Sequence, residues 1–250
     1  MKVSCLLVTK YPTKMFKRAL RCFNRQTHQD KELVVVTEKS SPYAKEKSSL
    51  VDKCVLVEDG LGLGELRNIA VRNATGNILL QWDDDEINHP LRIEKQVEKL
   101  GNAYACYLQD RLHYFQNTKE LYWEDGSYSF VSGREIKQHC PGTLMMRNTG
   151  EYWYESDRSW AEDIELMKRL VPDKEVVMLE DMGWLYVYTY HGSNIVPLKH
   201  HWNIARNKTY NKEHLIKNKK ILQDAIFRLG LEGAKVVSNE GLAYKICGVL

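Results

Sequence analysis

Four consecutive acidic residues carry the clearest chemical signal in this sequence. Asp83, Asp84, Asp85 and Glu86 directly follow the mostly apolar run at residues 78–82. Adjacent carboxylates repel one another, and each raises the cost of ionising the next unless a cation or hydrogen-bond donors lie among them. Oxygen ligands suit Mg²⁺ or Mn²⁺ better than zinc, and such a cation usually completes its shell with substrate phosphates and water. The stretch therefore predicts a metal and diphosphate site at the carboxyl end of a buried strand.

Alternating strands and helices are predicted to position this cluster. Buried strands are expected at residues 3–8, 32–37, 54–57 and 77–82. Amphipathic helices are expected at residues 14–29, 65–73 and 90–100. Successive strand, helix and strand segments of this kind form right-handed crossovers, which place the strand ends at one edge of a parallel sheet.

The pattern changes after Gly101. Short aromatic-rich runs between residues 103 and 131 predict an antiparallel or mixed portion of sheet. Later elements are expected as a strand near 144–147, a helix after 160–163, strands at 176–179 and 184–190, and a helix at 212–229. These patterns predict one compact α/β domain with a carboxyl-terminal helical extension.

Overall composition narrows the class of protein. The chain has 250 residues, 43% of them hydrophobic and 28% charged, which is ordinary for a globular fold. Because the net charge is only +3, nucleic acid is not expected as a partner. The basic carboxyl-terminal region leaves two alternatives open, a solvated helix face and peripheral contact with a membrane or an anionic lipid-linked acceptor.

Cysteine usage and the amino terminus bear on location. The six cysteines are dispersed and never form Cys-x-x-Cys, so neither a zinc ribbon nor a dense disulfide framework is expected. Most lie in apolar runs typical of reduced core residues. The apolar run at the amino terminus is too short for a signal peptide, and none reaches the roughly 20 residues of a membrane helix. A cytoplasmic location is therefore expected.

A glycine-rich segment precedes the second predicted helix. Gly60, Gly62 and Gly64 suggest a dinucleotide-binding loop, but Glu65 stands where the third glycine of that motif belongs. No Gly-Lys-Ser or Gly-Lys-Thr of a mononucleotide P-loop follows. The segment is interpreted as a flexible loop that leads into a helix.

Several short motifs have a characteristic order. They are Thr9-Lys10-Tyr11 at a strand end, the segment 21–27 with its Gln-Thr, Leu66-Arg67-Asn68 before 74–77, the acidic cluster before His89-Pro90, Glu162-Asp163, and His191. Together they resemble the family 2 glycosyltransferases of the GT-A fold, over residues 2–194. The resemblance implies a Rossmann-like, mixed and mostly parallel sheet flanked by helices. It also implies a catalytic domain at 1–200, with a nucleotide-binding half at about 1–100 and an acceptor half at about 101–200. A helical extension at 201–250 is expected to pack on this domain.

The resemblance implies roles on the metal side of the donor. Asp85 takes the position of the metal-binding carboxylate, while Asp83 and Asp84 contact the ribose or metal-bound water. His191 resembles a further metal ligand, which with Asp85 and two phosphate oxygens would hold Mn²⁺ or Mg²⁺. The alternative interpretations are a solvated acidic turn and a histidine that only ends a strand.

The same resemblance implies roles for residues on the nucleotide side of the donor. Thr9 and Tyr11 are expected to line the base pocket, Glu38 to accept a hydrogen bond from the base, and Arg67 to reach the nucleotide or its diphosphate. A carboxylate only accepts, so it suits the N–H of uracil or guanine. A UDP-sugar is the preferred donor and a GDP-sugar the second choice. Alternatively, Thr9 and Glu38 merely end strands, and Arg67 is an exposed helix residue.

The reaction is assigned to the start of a later helix. By resemblance Asp163 is the general base that deprotonates a hydroxyl of a glycan or glycoconjugate acceptor, and the anomeric centre inverts. Glu162 would touch the acceptor or orient the site, and Trp160 would offer an aromatic platform for a sugar. The alternatives are that one carboxylate caps the helix and that Trp160 lies in the core.

Two other functions were compared with glycosyl transfer. A sugar-nucleotide pyrophosphorylase should carry a glycine-rich, basic amino-terminal loop, which the residues 2–9 lack. A catalytically inactive nucleotide-sugar-binding scaffold would not need the carboxylates Asp85 and Asp163. The sequence therefore favours a metal-dependent inverting glycosyltransferase.

Overall fold

A computed structural model describes residues 1–10, 14–42, 49–126, 129–131, 134–136 and 140–246. The strands are β1 (Val3–Val8), β2 (Lys31–Glu38), β3 (Lys53–Val57), β4 (Ile78–Gln81), β5 (Ile87–Asn88), β6 (Ala105–Leu108), β7 (Arg111–Phe115), β8 (Glu120–Glu124), β9 (Ser129–Val131), β10 (Arg134–Ile136), β11 (Met145–Arg147), β12 (Val176–Leu179), β13 (Tyr186–Tyr190), β14 (Lys235–Ser238) and β15 (Gly241–Lys245). The helices are α1 (Lys14–Asn24), α2 (Leu63–Asn73), α3 (Arg92–Leu100), α4 (Glu162–Asp173), α5 (Leu198–Lys208), α6 (Lys212–Lys217) and α7 (Lys219–Leu229).

The described chain forms two compact units, each with its own sheet. Unit 1 comprises Met1–Glu86, Ile93–Tyr107 and Pro141–Met178. Unit 2 comprises Ile87–Arg92, Leu108–Cys140 and Leu179–Leu250. The predicted boundaries near residues 100 and 200 stay a prediction.

The sheet of unit 1 has seven strands in the order β12-β6-β11-β4-β1-β2-β3. Strands β3, β2, β1 and β4 run parallel, and β11 pairs antiparallel with both β4 and β6. Helices α2 and α4 pack on one face, where the buried cluster includes Leu6, Val34, Val36, Leu66, Ala70, Leu166 and Leu170. The predicted α/β fold with a mostly parallel sheet flanked by helices is confirmed.

The parallel pairing of β1 and β2 brings their carboxyl ends level. Val8 pairs with Val36, and the amide of Thr9 donates to the carbonyl of Val36 at 3.1 Å. The ladder therefore continues by one residue and sets Thr9 beside Thr37. Paired residues of parallel strands project to the same face, so these two threonines share a face of the sheet.

The pairing of β1 with β4 places the acidic cluster in the same row of strand ends. Leu6 pairs with Gln81 at the end of β4. Beyond this strand end, Asp84 contacts Thr9, while Asp83 contacts Arg67 of α2. Consecutive carboxylates are thus directed to opposite faces of the sheet.

Helix α1 ends at Asn24, five residues before its predicted end. The buried side chain of Gln26 explains this, because its Nε2 donates to the Cys22 carbonyl at 3.1 Å. Its Oε1 accepts from the Ile93 amide at 3.0 Å, at the start of α3. The Gln-Thr motif therefore ends one helix and caps the next.

Unit 2 contains a six-stranded sheet in the order β15-β14-β8-β7-β13-β5. Its pairings are mixed, since β7 is antiparallel to β8 but parallel to β13. This agrees with the antiparallel or mixed sheet expected from the aromatic-rich runs. The carboxyl-terminal segment is helical, as expected, but the predicted helix at 212–229 divides at Asn218 into α6 and α7. The hairpin of β14 and β15, which extends this sheet, was not expected.

A chain of buried polar groups links β7, β8 and α5 within unit 2. Arg111 Nε donates to Glu124 at 2.7 Å, and the other carboxylate oxygen contacts His113 Nδ1. His113 Nε2 lies 2.9 Å from His201 Nδ1. The ring of Tyr188 has Arg111 over its face, and His201 stacks with it at a centroid distance of 4.8 Å. Charged and aromatic groups therefore pack directly against one another.

The cysteines largely follow the prediction of buried positions. Cys5, Cys22, Cys106 and Cys140 are buried, whereas Cys54 is exposed on the edge strand β3. Cys247 lies outside the described residues. Among the described helices, none is both long and apolar enough to cross a membrane.

Candidate active site

The acidic cluster lies at the carboxyl end of β4 and is held from both sides of the sheet. On the α2 side, Asp83 accepts from Arg67 Nη2 at 2.8 Å and from Gln81 Nε2 at 3.1 Å. On the opposite side, Asp84 accepts from the Thr9 hydroxyl at 2.6 Å. The two carboxylates therefore have different partners and different surroundings.

The surroundings of Asp84 disfavour the negative charge of its carboxylate. Burial and the charges of Asp85 and Asp83 raise the pKa of Asp84 to about 7, although the Thr9 hydrogen bond lowers it. A divalent cation would remove this penalty, because hard cations favour clustered carboxylate oxygens. The donor set thus fits Mn²⁺ or Mg²⁺. Among the described residues, no three His, Cys, Asp or Glu side chains are grouped so that they could hold a metal ion.

The remainder of the cluster is anchored through its backbone. Arg18 on α1 donates through Nη2 to the Asp85 carbonyl at 2.6 Å. Glu86 is only 3% exposed, which agrees with a structural position for this residue. Asp85 therefore has a fixed main chain and a partly exposed side chain at the strand end.

Arg67 joins the cluster to the start of α4. It is a buried residue of α2, and its Nε donates to Glu162 at 2.6 Å while Nη2 donates to Asp83. Burial lowers its pKa, but the two carboxylates outweigh this and raise the pKa of Arg67 well above its usual value. The alternative of an exposed helix arginine is wrong. The expected contact of Arg67 with the diphosphate stays a prediction. In this structure, two N–H groups of Arg67 donate to the carboxylates of Glu162 and Asp83.

Asp163 occupies the first turn of α4. Its Oδ1 accepts from the Ile164 amide at 2.8 Å, and the side chain is half-buried. Burial, followed by the charge of Glu162, raises the pKa of Asp163 to about 6, although Arg67 lowers it. The preceding Ala161 has φ 56°, a left-handed conformation that costs a non-glycine residue about 1–2 kcal/mol. Such strain often occurs at functional sites, where the surrounding structure fixes an unfavourable conformation.

The two neighbours of Asp163 differ sharply in exposure. Glu162 is 2% exposed and paired with Arg67, and its expected role in orienting the site or contacting the acceptor stays a prediction. Trp160 is 69% exposed, and its placement in the core, one of the two alternatives, is wrong. An open indole beside a half-buried carboxylate is compatible with the expected sugar platform.

Two glycines explain how the segment before Asp163 reaches α2. A Cβ atom at Gly64 would lie 1.9 Å from the Glu155 carbonyl, and one at Gly62 would lie 2.7 Å from the Ser156 carbonyl. The Gly64 amide donates to the Arg158 carbonyl at 3.0 Å. The glycine-rich segment therefore serves close backbone packing rather than phosphate binding.

Asn68 and Tyr154 complete this junction and were not predicted as site residues. Asn68 Nδ2 donates to the Tyr154 carbonyl at 2.9 Å, and its Oδ1 accepts from the Tyr154 amide at 2.8 Å. The Tyr154 hydroxyl donates to Gln81 Oε1 at 3.3 Å, and Gln81 in turn donates to Asp83. The only sequence signal was the Leu66-Arg67-Asn68 motif, which does not identify a partner 86 residues away.

Two of the remaining predicted residues, Glu38 and His191, have local partners. Glu38 is buried, accepts from the Gly60 amide at 3.0 Å and pairs with Lys10 Nζ at 3.2 Å. His191 belongs to unit 2, where its Nδ1 lies 3.0 Å from the Ser193 hydroxyl. Tyr11 lies outside the described residues. The proposed roles of these three residues stay predictions.

Comparison with known proteins places this arrangement in a family. Residues 6–158, more than half of the chain, match the model of Glycosyl transferase family 2. No curated protein matches the sequence. S. aureus TarS 1-349 in complex with UDP-GlcNAc is similar in structure, with a TM-score of 0.58, 16% identity, and coverage of 91% of this chain and 72% of that one.

Other solved structures show the same fold. A longer TarS structure has a TM-score of 0.55 and 16% identity, and the match covers 91% of this chain but 44% of that one. Mannosyltransferase PcManGT from Pyrobaculum calidifontis, in complex with GDP-Man and Mn2+, has a TM-score of 0.52 and 17% identity, and the match covers 92% and 72% of the two chains. The sheet, its helices and the family match agree, and the chain belongs to glycosyl transferase family 2.

Proposed function

We propose that this protein is a metal-dependent, inverting glycosyltransferase with Asp163 as its general base. The observation that carries the proposal is a half-buried carboxylate whose pKa is raised to about 6. It directly follows Glu162, which pairs with Arg67, and Arg67 also pairs with Asp83 of the acidic cluster. A general base works best when its pKa lies near the working pH, because it is then ionised and still accepts a proton readily.

The chain's own residues divide the work of transfer. Mn²⁺ or Mg²⁺, held through Asp85, would supply positive charge to the diphosphate leaving group. Asp83 and Asp84 position the donor, each from its own face of the sheet. Asp163 accepts the proton of the acceptor hydroxyl as that oxygen attacks the anomeric carbon from the side opposite the nucleotide, which inverts the centre. Arg67 and Glu162 keep the base and the acidic cluster in fixed relation.

The donor we favour is a UDP-sugar, with a GDP-sugar as second choice. Glu38 provides an acceptor at the end of β2, which suits a base N–H. The TarS fragment carries UDP-GlcNAc and PcManGT carries GDP-Man, so related folds bind both classes of donor. The expected acceptor is a hydroxyl of a glycan or glycoconjugate, with exposed Trp160 stacking on a sugar ring.

A peripheral membrane contact is a further part of the proposal. Residues 201–250 contain nine Lys or Arg and four Asp or Glu, a net charge of +5, whereas the whole chain carries +3. Such a basic segment is attracted to anionic lipid surfaces. Sedimentation with anionic vesicles at low and high salt would show this attraction as salt-sensitive binding.

Two substitutions test the division between base and metal site. Asp163→Asn should retain Mn²⁺-dependent UDP binding and lose transfer by about 10²- to 10⁴-fold, because the amide cannot accept the proton. Asp85→Ala should lose Mn²⁺-dependent UDP binding itself. Calorimetry measures the binding, and transfer is followed by release of UDP from UDP-sugars offered with simple glycan acceptors.

The controls separate catalysis from other functions. Asp163→Glu keeps a carboxylate and should retain part of the activity, which a role limited to helix capping does not predict. Normal turnover by Asp163→Asn would contradict the assignment of the base. Donor binding by the unaltered protein, without transfer or hydrolysis after long incubation, would instead favour the nucleotide-sugar-binding scaffold.

A further inference from the structure

Thr37 carries a buried hydroxyl that has nothing to bind within the described part of the chain. The residue is 1% exposed, and its Oγ1 has no hydrogen-bond partner there. A buried hydroxyl without a partner destabilises a fold, whereas valine has nearly the same shape and no such cost. Thr37 directly follows the apolar run at residues 33–36 of β2, where valine would be the favoured choice. A ligand that supplies the missing hydrogen bond would explain the threonine.

The position of Thr37 points to the donor site. It lies at the carboxyl end of β2, level with Thr9 and on the same face of the sheet. Thr9 in turn donates to Asp84. In open parallel sheets, ligands bind in the crevice outside the carboxyl ends of the strands. Thr37 is therefore in the same row of strand ends as the acidic cluster.

The spacing of the strands indicates which part of a nucleotide reaches Thr37. Strand β1 separates β2 from β4, so the ends of β2 and β4 lie two strand spacings apart, roughly 10 Å. With the diphosphate at the acidic cluster, the ribose spans this gap and the base arrives at β2. Glu38 follows Thr37 and therefore projects to the other face, where Lys10 and the Gly60 amide bind its carboxylate.

We propose that the Thr37 hydroxyl hydrogen-bonds the nucleobase of the sugar-nucleotide donor and is a specificity residue of the site. This inference rests on the proposed function, because it requires a nucleotide at the strand ends. A hydroxyl both donates and accepts, so it can bind a ring N–H or a carbonyl of uracil.

The proposal predicts opposite effects on stability and on binding. Thr37→Val removes the unpartnered hydroxyl and should raise the Tm of the nucleotide-free protein by about 2–4 °C. The same substitution should weaken UDP binding about tenfold, since one hydrogen bond to the base is lost. Thr37→Ser keeps the hydroxyl and should bind UDP within about threefold of the unaltered protein. A purely structural Thr37 predicts the gain in Tm without the loss of affinity.

The experiment measures UDP affinity with Mn²⁺ by calorimetry and Tm without nucleotide, for the full chain and both variants. Thr209→Val is the matched control, because it deletes a buried hydroxyl of unit 2 that lies 3.3 Å from the Trp123 carbonyl. It should leave UDP affinity unchanged. If Thr37→Val does not fold, Thr37→Ala replaces it and should show the same tenfold loss relative to Thr37→Ser.

A second ligand distinguishes the base from the sugar. If Thr37 binds the base, the ratio of affinities for UDP and 2′-deoxy-UDP stays the same in Thr37→Val, although both affinities fall. A ratio that moves toward one would assign the hydroxyl to the ribose and overturn the proposal. UDP affinity equal to that of the unaltered protein would also overturn it while leaving the proposed function intact. Failure of the unaltered protein to bind UDP or GDP would overturn both.

Discussion

The raised pKa of Asp163 has a direct kinetic consequence. As a general base it must be ionised, so kcat/KM should rise with pH and level off above a pKa of about 6. Burial is the main cause of the raised pKa, and Glu162 adds to it. Glu162→Gln should therefore move the inflection of the profile downward. A pH series of initial rates with a saturating metal ion measures both values, and a profile without an inflection between pH 5 and 7 would contradict the role.

Arg67 carries a second prediction at this scale. Arg67→Met should lower the free energy of unfolding by about 3–5 kcal/mol, because it leaves the buried carboxylate of Glu162 and that of Asp83 without their cation. Urea unfolding without nucleotide measures the change. The double variant Arg67→Met with Glu162→Met is the control, and it should recover a large part of the loss since the unpaired charge is removed. Equal instability of the single and double variants would show that packing, not charge, is responsible.

At the scale of elements, the contact between α2 and the segment 155–158 is open to test. Alanine has the higher helix propensity, so Gly64→Ala in an unobstructed helix would stabilise by up to about 1 kcal/mol. Here the added methyl would meet the Glu155 carbonyl, so we expect destabilisation and reduced transfer. Gly60→Ala is the comparison, because its Cβ would meet no atom within 4 Å although its φ is +92°. It should cost about 1–2 kcal/mol from backbone strain alone. Chemical unfolding and initial rates of both variants distinguish the steric clash at Gly64 from the backbone strain at Gly60.

Element types and the acidic cluster could be predicted because they depend on local patterns. The run before Asp83 is apolar and short, and Glu162-Asp163 opens an amphipathic helix, so both were placed correctly on their elements. The partners of Arg67 could not be predicted, because Glu162 is 95 residues away and only the folded sheet brings α2 and α4 together. Gly62 and Gly64 were misinterpreted as a flexible loop for the same reason, since their neighbours come from a distant segment.

The carboxyl-terminal hairpin illustrates a different limit. Strand β15 is largely exposed and alternates weakly, so its residues lack the apolar pattern of a buried strand. It forms because β14 pairs with β8, and β15 then pairs with β14. The break at Asn218 was also missed, because the apolar residues on either side keep a helical spacing.

For the whole molecule, the buried histidines predict how stability depends on pH. Burial lowers the pKa of His201 to about 3 and also lowers that of His113. The unfolded chain therefore binds more protons below pH 6.5, and this contribution to stability is lost as pH falls from 6.5 toward 3. The raised pKa values of Asp84 and Asp163 have the opposite consequence, because these groups stabilise the folded protein more as the pH falls. The total free energy of unfolding therefore does not isolate the contribution of the histidines.

A difference measurement isolates the histidine. His201→Gln keeps an N–H group that can donate to His113 but cannot be protonated. It should be less stable than the unaltered protein at pH 7, and the gap should narrow by up to about 2 kcal/mol at pH 5. Urea unfolding at the two pH values measures the gap. A gap that is the same at both would show that His201 does not change its protonation on unfolding.

Main-chain atoms of the segment 155–158 make its contact with α2. This affects which substitutions the segment can accept. Carbonyls at Glu155, Ser156 and Arg158 meet the glycines, and these groups are the same whatever side chain follows. A residue such as Asp157 can therefore be exchanged over generations without loosening the junction. Substitutions in this segment can therefore change the surface near Asp163 while the main-chain contacts with Gly62 and Gly64 stay the same.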